Sequence, residues 1–284
     1  MEVAKTIKSV RNLVKAARGK GKKIGFVPTM GALHTGHISL IEAAAKKCDF
    51  VVVSIFVNPT QFCPGEDFKK YPRPLEADLK ICRNADVDVV FVPTPQQMYP
   101  QENLAWVNVE KLTEQLCGQF RPGHFRGVTT VCAKLFNIVE PDIAFFGQKD
   151  GQQAIVIKRM VADLNMPLEI VVCPTVRQPD GLAVSSRNQY LTEDQKKDAT
   201  YVYKALQKCQ EMINAGIADS KTIIDQMRKI LSRAPSIKIE YVCIVDAETV
   251  QPIDRIAGKV LAVVAVRIGS TRLIDNILVD MSKQ

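Results

Sequence analysis

Apolar residues in the first 175 or so positions come in short unbroken blocks rather than in alternation. Residues 24–27, 50–57, 87–92, 143–146 and 168–173 are such blocks and predict strands. Between them, 39–47, 75–85, 128–139 and 152–164 repeat apolar residues at helical spacing. Strands without alternation are buried on both faces, which implies a parallel sheet flanked by helices. In open sheets of this kind ligands sit at the carboxyl ends of the strands. The polar segments 28–37, 58–61 and 147–150 follow the first, second and fourth runs, so all three are expected on one edge of the sheet. From Val176 the pattern changes. A loop at 177–181 leads to Ser185-Ser186-Arg187-Asn188, and Thr192-Glu193-Asp194-Gln195 has the form of a capping box opening a long helix. A second helix is expected over 221–231, with strands over 237–245, 259–267 and 272–279. The reading is α/β: a parallel-sheet domain over 1–175 and a smaller α+β C-terminal domain over 176–284.

Composition narrows the class. The chain is 46% hydrophobic and 24% charged, as ordinary globular proteins are. No apolar run approaches the roughly 20 residues that span a bilayer, so no membrane role is expected. The net charge of +8 invites a nucleic-acid reading. Its placement argues otherwise. Residues 1–23 hold eight Lys or Arg against one acid, Glu2, so that segment alone supplies +7. A polyanion binder spreads its basic footprint over a face or groove. Ile7, Val10, Leu13, Val14 and Ala17 recur at helical spacing there, which predicts an integral basic amphipathic helix rather than a transit peptide. The eight cysteines are never closer than 15 residues, which excludes CxxC and zinc-knuckle spacings. With no signal peptide, reduced thiols and a cytoplasmic location are expected.

The chemistry concentrates in Met30-Gly31-Ala32-Leu33-His34-Thr35-Gly36-His37. Two of the chain's three histidines stand here, after a buried strand and at a predicted helix start. Free first-turn amides and the positive end of the helix dipole favour an anion, with both imidazoles as further donors. Gly36 leaves room for a flat ring against the backbone. A metal pair is the alternative reading of HxxH, but only His124 and scattered acids are on hand to complete a shell. Lys149 follows a strand and precedes a helix, where an ammonium acts as a point charge on phosphate. Ser185, Ser186 and Arg187 add hydroxyls and a guanidinium. Asn58, Gln61, Gln152 and Gln153 are amides suited to a small hydroxy acid, or equally to caps and turns. The segment Arg121-Pro122-Gly123-His124-Phe125-Arg126-Gly127 reads as a mobile lid, an anion clamp or a plain loop. No Ser/His/Asp or Cys/His arrangement stands out.

His34-Thr35-Gly36-His37 resembles the HIGH motif of the nucleotidylyltransferase superfamily, and Ser185-Ser186-Arg187 its KMSKS-type loop. Together with the strings around Asn58-Pro59-Thr60-Gln61, Tyr71-Pro72-Arg73, Arg121–Gly127, Phe146-Gly147-Gln148-Lys149-Asp150 and Ser185–Asn188, the chain resembles the pantothenate synthetases (pantoate–β-alanine ligases). The resemblance runs from about residue 20 to 190 in order. It implies a Rossmann-like fold with the C-terminal domain as a lid, and ligation of pantoate to β-alanine through a pantoyl adenylate formed from ATP. His34, His37, Lys149, Ser185, Ser186 and Arg187 would then be catalytic and hold ATP phosphates. Met30, Gly36, Gly147, Asp150 and Val176 would contact the rest of the nucleotide. Gln61, Gln153, Asn58, Arg121 and His124 would bind pantoate, Gln61 also β-alanine, and Asp78 would help position Mg²⁺. A homodimer through the large domain is implied as well. Two positions depart from the family pattern: Gln148, where Glu is usual, and Gly151, where an aromatic is common. The rival readings are another HxGH nucleotidylyltransferase and a basic nucleic-acid-binding protein.

Overall fold

The unbroken apolar runs are strands buried in a six-stranded parallel sheet. The structure, a computed structural model, describes residues 1–281. In chain order its elements are β1 (Glu2–Ala4), α1 (Ile7–Arg18), β2 (Ile24–Thr29), α2 (Thr35–Lys47), β3 (Phe50–Ile55), α3 (Leu75–Asn84), β4 (Val89–Phe91), α4 (Pro95–Met98), α5 (Cys117–Phe120), α6 (His124–Val139), β5 (Ile143–Gly147), α7 (Gly151–Asp163), β6 (Glu169–Cys173), α8 (Glu193–Asn214), α9 (Ser220–Leu231), β7 (Ile237–Asp246), β8 (Lys259–Ile268) and β9 (Thr271–Asp280). They divide into two compact units. The first takes Met1–Thr113, Cys117–Gly147 and Val156–Cys173; the second takes Glu114–Leu116, Gln148–Ile155 and the chain from Pro174.

In the first unit the strand order is β1-β4-β3-β2-β5-β6, and each neighbouring pair runs parallel, as in β2 against β3 from Ile24↔Phe50 to Thr29↔Ile55. The order reverses between β2 and β5, which is where open α/β sheets place their ligands. One core cluster gathers Phe26, Phe91, Phe136, Phe146 and Met160; another gathers Val27, Ile41, Val53 and Phe145. Helix α1 forms as expected. Thr6 caps it by accepting from Ser9 N at 3.0 Å, and Val10, Val14 and Ala17 are buried. Two of its basic residues are engaged within the unit. Arg18 pairs with Asp142 at 3.0 Å and donates to Glu140 O at 2.6 Å, and Arg11 donates to Asn137 O at 3.2 Å. Periodicity does not predict strand β1, because three residues are too few to show a period.

The second unit pairs β7-β8-β9 as an antiparallel meander. Helices α8 and α9 bury Leu206, Ile213, Ile223 and Met227 against Val260, Ala262, Val264 and Val266 of β8. The capping box is present: Gln195 N donates to Thr192 Oγ1 at 3.3 Å and Thr192 N to Gln195 Oε1 at 3.0 Å. The division expected at 175/176 falls at 173/174, and residues 148–155 and 114–116 group with the second unit. Hydrogen bonds explain the regrouping: Asn276 binds the carbonyls of Gln148 and Lys149, and Gln152 Nε2 donates to Gln115 O at 2.8 Å. All eight cysteines are free thiols, and five of them are buried. Among the described residues no helix is long and apolar enough to cross a membrane.

Candidate active site

The loop leaving β2 is bent by two successive left-handed residues, Gly31 (φ 81°) and Ala32 (φ 51°). A Cβ at Gly31 would lie 2.9 Å from both Asp78 Oδ2 and Ile55 Cγ2, so the position needs glycine for space as well as for its backbone angle. Asp78 holds the bend. Its Oδ2 accepts from Ala32 N at 2.9 Å and its Oδ1 from Leu33 N at 2.7 Å, in a site where the residue is only 1% exposed. Burial raises the Asp78 pKa and outweighs these two amide bonds, which pull it down. Both oxygens of Asp78 are anchors for the loop. Among the described residues no group of three or more His, Cys, Asp or Glu side chains is placed to hold a metal ion.

Helix α2 opens on a capping box made by the histidine pair itself. His34 is the N-cap and its Nδ1 accepts from Gly36 N at 3.2 Å; His37 Nδ1 accepts from His34 N at 3.3 Å. The rings lie 4.1 Å apart. An imidazole that accepts at Nδ1 and is neutral carries its proton on Nε2. Both histidines are thus set in one tautomer, with Nε2–H as the donor. The amide of Gly36 is taken by His34, and those of His37 and Ile38 bond to His34 O at 2.8 and 3.1 Å. These three amides are thus engaged within the helix start itself. Gly36 has a second reason to be glycine: a Cβ would stand 3.0 Å from His34 Nδ1 and Cε1.

The loop leaving β3 lies beside this one. Gln61 Nε2 donates to Met30 Sδ at 3.0 Å, and Gln61 Oε1 accepts from Asn58 Nδ2 at 3.1 Å. A primary amide has a further N–H and a further lone pair, the pair of groups that a hydroxyl needs. Asn58 is 1% exposed and engaged on every side. Its Nδ2 also donates to Gly127 O at 3.2 Å, and its Oδ1 accepts from Tyr99 Oη at 2.8 Å and Thr60 Oγ1 at 3.0 Å. It supports Gln61 through the Asn58 Nδ2–Gln61 Oε1 bond. Gly127 permits that support, since a Cβ there would come within 2.3 Å of Thr60 O.

Arg121 and His124 form a bonded network with Glu66 and Gln61. Arg121 Nε and Nη2 donate to Glu66 at 2.6 and 2.7 Å, and its Nη1 reaches His124 Nε2 at 2.9 Å. His124 Nδ1 lies 2.7 Å from Gln61 O. Arginine only donates, so His124 accepts at Nε2 and gives its Nδ1 proton to the Gln61 carbonyl. Glu66 is partly buried, which alone would raise its pKa, yet the Arg121 bonds hold it below the ordinary value. Arg121 is matched by a carboxylate, and His124 begins helix α6, in which it is buried. Sequence reasoning missed Glu66 because nothing local distinguishes it from a surface acid.

The second unit carries the remaining candidates. Lys149 and Asp150 stand in the 3₁₀ turn Gln148–Asp150, paired at 3.2 Å. Ser185 caps the turn Ser186–Tyr190 by accepting from Arg187 N at 3.3 Å. Asn188, buried, donates to Ala183 O at 3.0 Å and so pins that turn. Val176 is half-buried, and its carbonyl accepts from Val184 N at 3.0 Å. The hairpin between them is fixed by Arg177, which donates to both oxygens of Asp275 at 2.5 and 3.0 Å and stacks over Tyr203 at 3.8 Å. Gln153 is half-buried on α7, one residue past the buried Gln152.

Known proteins match this chain over nearly its whole length. The family profile described as pantoate-beta-alanine ligase matches residues 2–278. Pantothenate synthetase of Moorella thermoacetica is 54% identical over 282 residues, covering 99% of this chain and all of the relative. That of Thermoanaerobacter pseudethanolicus is 53% identical, covering 98% of each. The crystal structure of pantothenate synthetase from Thermus thermophilus superposes with a TM-score of 0.93 at 42% identity, covering 98% of this chain and 99% of that one. Pantoate-beta-alanine ligase from Francisella tularensis, complexed with beta-gamma ATP and beta-alanine, gives 0.81 at 38% identity, covering 98% and 97%. With that profile spanning residues 2–278 and relatives more than 50% identical over nearly their full length, the chain belongs to the pantoate–β-alanine ligase family.

Proposed function

We propose that this chain condenses pantoate with β-alanine, driven by ATP, in two steps. A pantoate carboxylate oxygen attacks the α-phosphorus in line and pyrophosphate leaves. The β-alanine amine then attacks the acyl carbon of the adenylate, loses a proton, and AMP leaves. Neither step needs a protein nucleophile; both need aligned substrates and neutralised phosphate charge. The observation that carries the reading is the capping-box histidine pair, which presents two Nε2–H donors together beyond β2. In this reading His34 and His37 bind ATP phosphates, and Lys149, Ser185, Ser186 and Arg187 are further phosphate donors. Met30, Gly36, Gly147, Asp150 and Val176 meet the nucleotide. Gln61 and Gln153 bind the pantoate hydroxyls, with Asn58, Arg121 and His124 bordering that side and Gln61 also facing β-alanine. Mg²⁺ enters as part of the substrate, on the triphosphate, which suits a donor set of cations and N–H groups without a carboxylate cage. A cytoplasmic homodimer formed through the first unit completes the proposal.

The test mixes pure protein with ATP, Mg²⁺, pantoate and β-alanine, omits each in turn, and assays AMP. AMP should require all of them. Pantoate-dependent exchange of pyrophosphate into ATP distinguishes this reading from another HxGH nucleotidylyltransferase. AMP release independent of pantoate would reject it. The nucleic-acid alternative predicts salt-steep DNA or RNA binding, and sedimentation velocity checks the dimer.

A further inference from the structure

We propose that Asn276, on β9, is a positioning residue for Lys149. The inference rests on the reading above that Lys149 contacts ATP phosphate. Asn276 is 5% exposed, and its amide is used at both ends. Its Nδ2 donates to Gln148 O and to Lys149 O, each at 2.9 Å, and its Oδ1 accepts from Gln148 Nε2 at 2.8 Å. Its own backbone N–H is held by Asp275 Oδ1 at 2.8 Å. Two consecutive carbonyls of the Lys149 turn are therefore tied to a strand side chain that has no freedom of its own. The Lys149 ammonium is carried on a flexible four-carbon stem, so its reach depends on where its Cα is fixed.

The same residue bears on positions 148 and 151. A Cβ at Gly151 would lie 2.8 Å from Asn276 Oδ1 and 3.0 Å from Gln148 Nε2. Any side chain at 151 would have to displace this amide pair. A glutamate at 148 would set its oxygen against Asn276 Oδ1, acceptor against acceptor, so glutamine fits where glutamate would not. Gln148, Gly151 and Asn276 form one interlocking set. Strand periodicity places Asn276 inside a core strand, and nothing in its local sequence marks it as functional.

Pantoate-dependent ATP–pyrophosphate exchange measured on wild type, Lys149→Ala, Asn276→Ala and the double variant, with a thermal midpoint for each, tests the assignment. Asn276→Ala should slow exchange roughly tenfold in kcat, as a small misplacement of a charge-stabilising group does, while the KM for pantoate stays unchanged. In the Lys149→Ala background the same substitution should change exchange by less than about twofold, because residues acting through one group are not additive. Asn276→Asp, nearly isosteric, keeps the acceptor for Gln148 but turns an oxygen on both carbonyls, and should be as slow as Asn276→Ala. A full tenfold loss in the Lys149→Ala background, or a wild-type rate for Asn276→Asp, overturns the positioning role while leaving Lys149 in place. A wild-type rate for Lys149→Ala overturns both the phosphate assignment and the inference built on it.

Discussion

Replacing Asp78 with alanine isolates the groups that shape the His34 loop. The carboxylate is buried and accepts the amides of Ala32 and Leu33. Without it two buried N–H groups lose their partner, at about 1–3 kcal/mol each. The raised pKa of Asp78 shows that its burial is only partly compensated, so removing the charge returns some of that loss. The expected net destabilisation at neutral pH is about 2–4 kcal/mol. Ala32, left-handed at φ 51°, then relaxes, and His34 is only two residues further on. A shift of about 1 Å in a phosphate donor lowers kcat by roughly a hundredfold. Trp106, the chain's one tryptophan, lies in the same compact unit, so its fluorescence through a urea titration reads the stability of that unit. The sign of the pH dependence follows from linkage. A carboxyl whose folded pKa is raised binds its proton more tightly when folded, so its contribution is greatest below the unfolded pKa and declines as pH rises through the folded one. The gap between wild type and Asp78→Ala should therefore widen on acidification. An unchanged urea midpoint together with a wild-type kcat would refute the anchoring argument.

Other substitutions separate binding from chemistry. His34→Ala should lower kcat by about 10²–10³, since it removes a donor that acts on developing phosphate charge; steady-state AMP formation at saturating substrates checks this, and a wild-type kcat removes His34 from the machinery. Gln61→Ala should raise the KM for pantoate more than it lowers kcat, because amide–hydroxyl bonds form in the ground state too; an unaltered pantoate KM counts against that assignment. Glu66→Gln should leave activity measurable but flatten the acid limb of stability. A carboxylate held below its ordinary pKa contributes above the unfolded value of about 4.3 and loses that contribution as pH falls through the folded one, so identical acid midpoints for wild type and variant would argue against the Arg121–Glu66 pair as a support.

The sheet and its ligand edge are legible because β2, β3 and β5 are apolar without alternation, and because short polar segments break off at their ends. The histidine pair is legible for the same reason: a rare residue used twice beside glycine at a helix start. Contacts between distant segments are not. Asn58 and Gln61 are both amides in one loop, and no local pattern tells the one bonded to Tyr99 and Gly127 from the one turned toward Met30. The bonds from Arg121 to Glu66 and from His124 to the Gln61 carbonyl span 55 and 63 residues and leave no local trace. Asp78 sits on a helix face where an acid is unremarkable, and its target amides are 45 and 46 residues upstream. The grouping of residues 148–155 with the second unit depends on Asn276, 128 positions from Gln148.

The buried thiols give each compact unit its own clock. Burial pushes the pKa of Cys82 and Cys132, in the first unit, and Cys209, in the second, up to about 12. Alkylating reagents attack the thiolate, so in the native fold these sulfurs are shielded twice, by protonation and by packing. Each becomes reactive when the segment around it opens. Mass-resolved labelling over time would then report the opening of the parallel-sheet unit and of the meander unit separately, from a single unmodified sample.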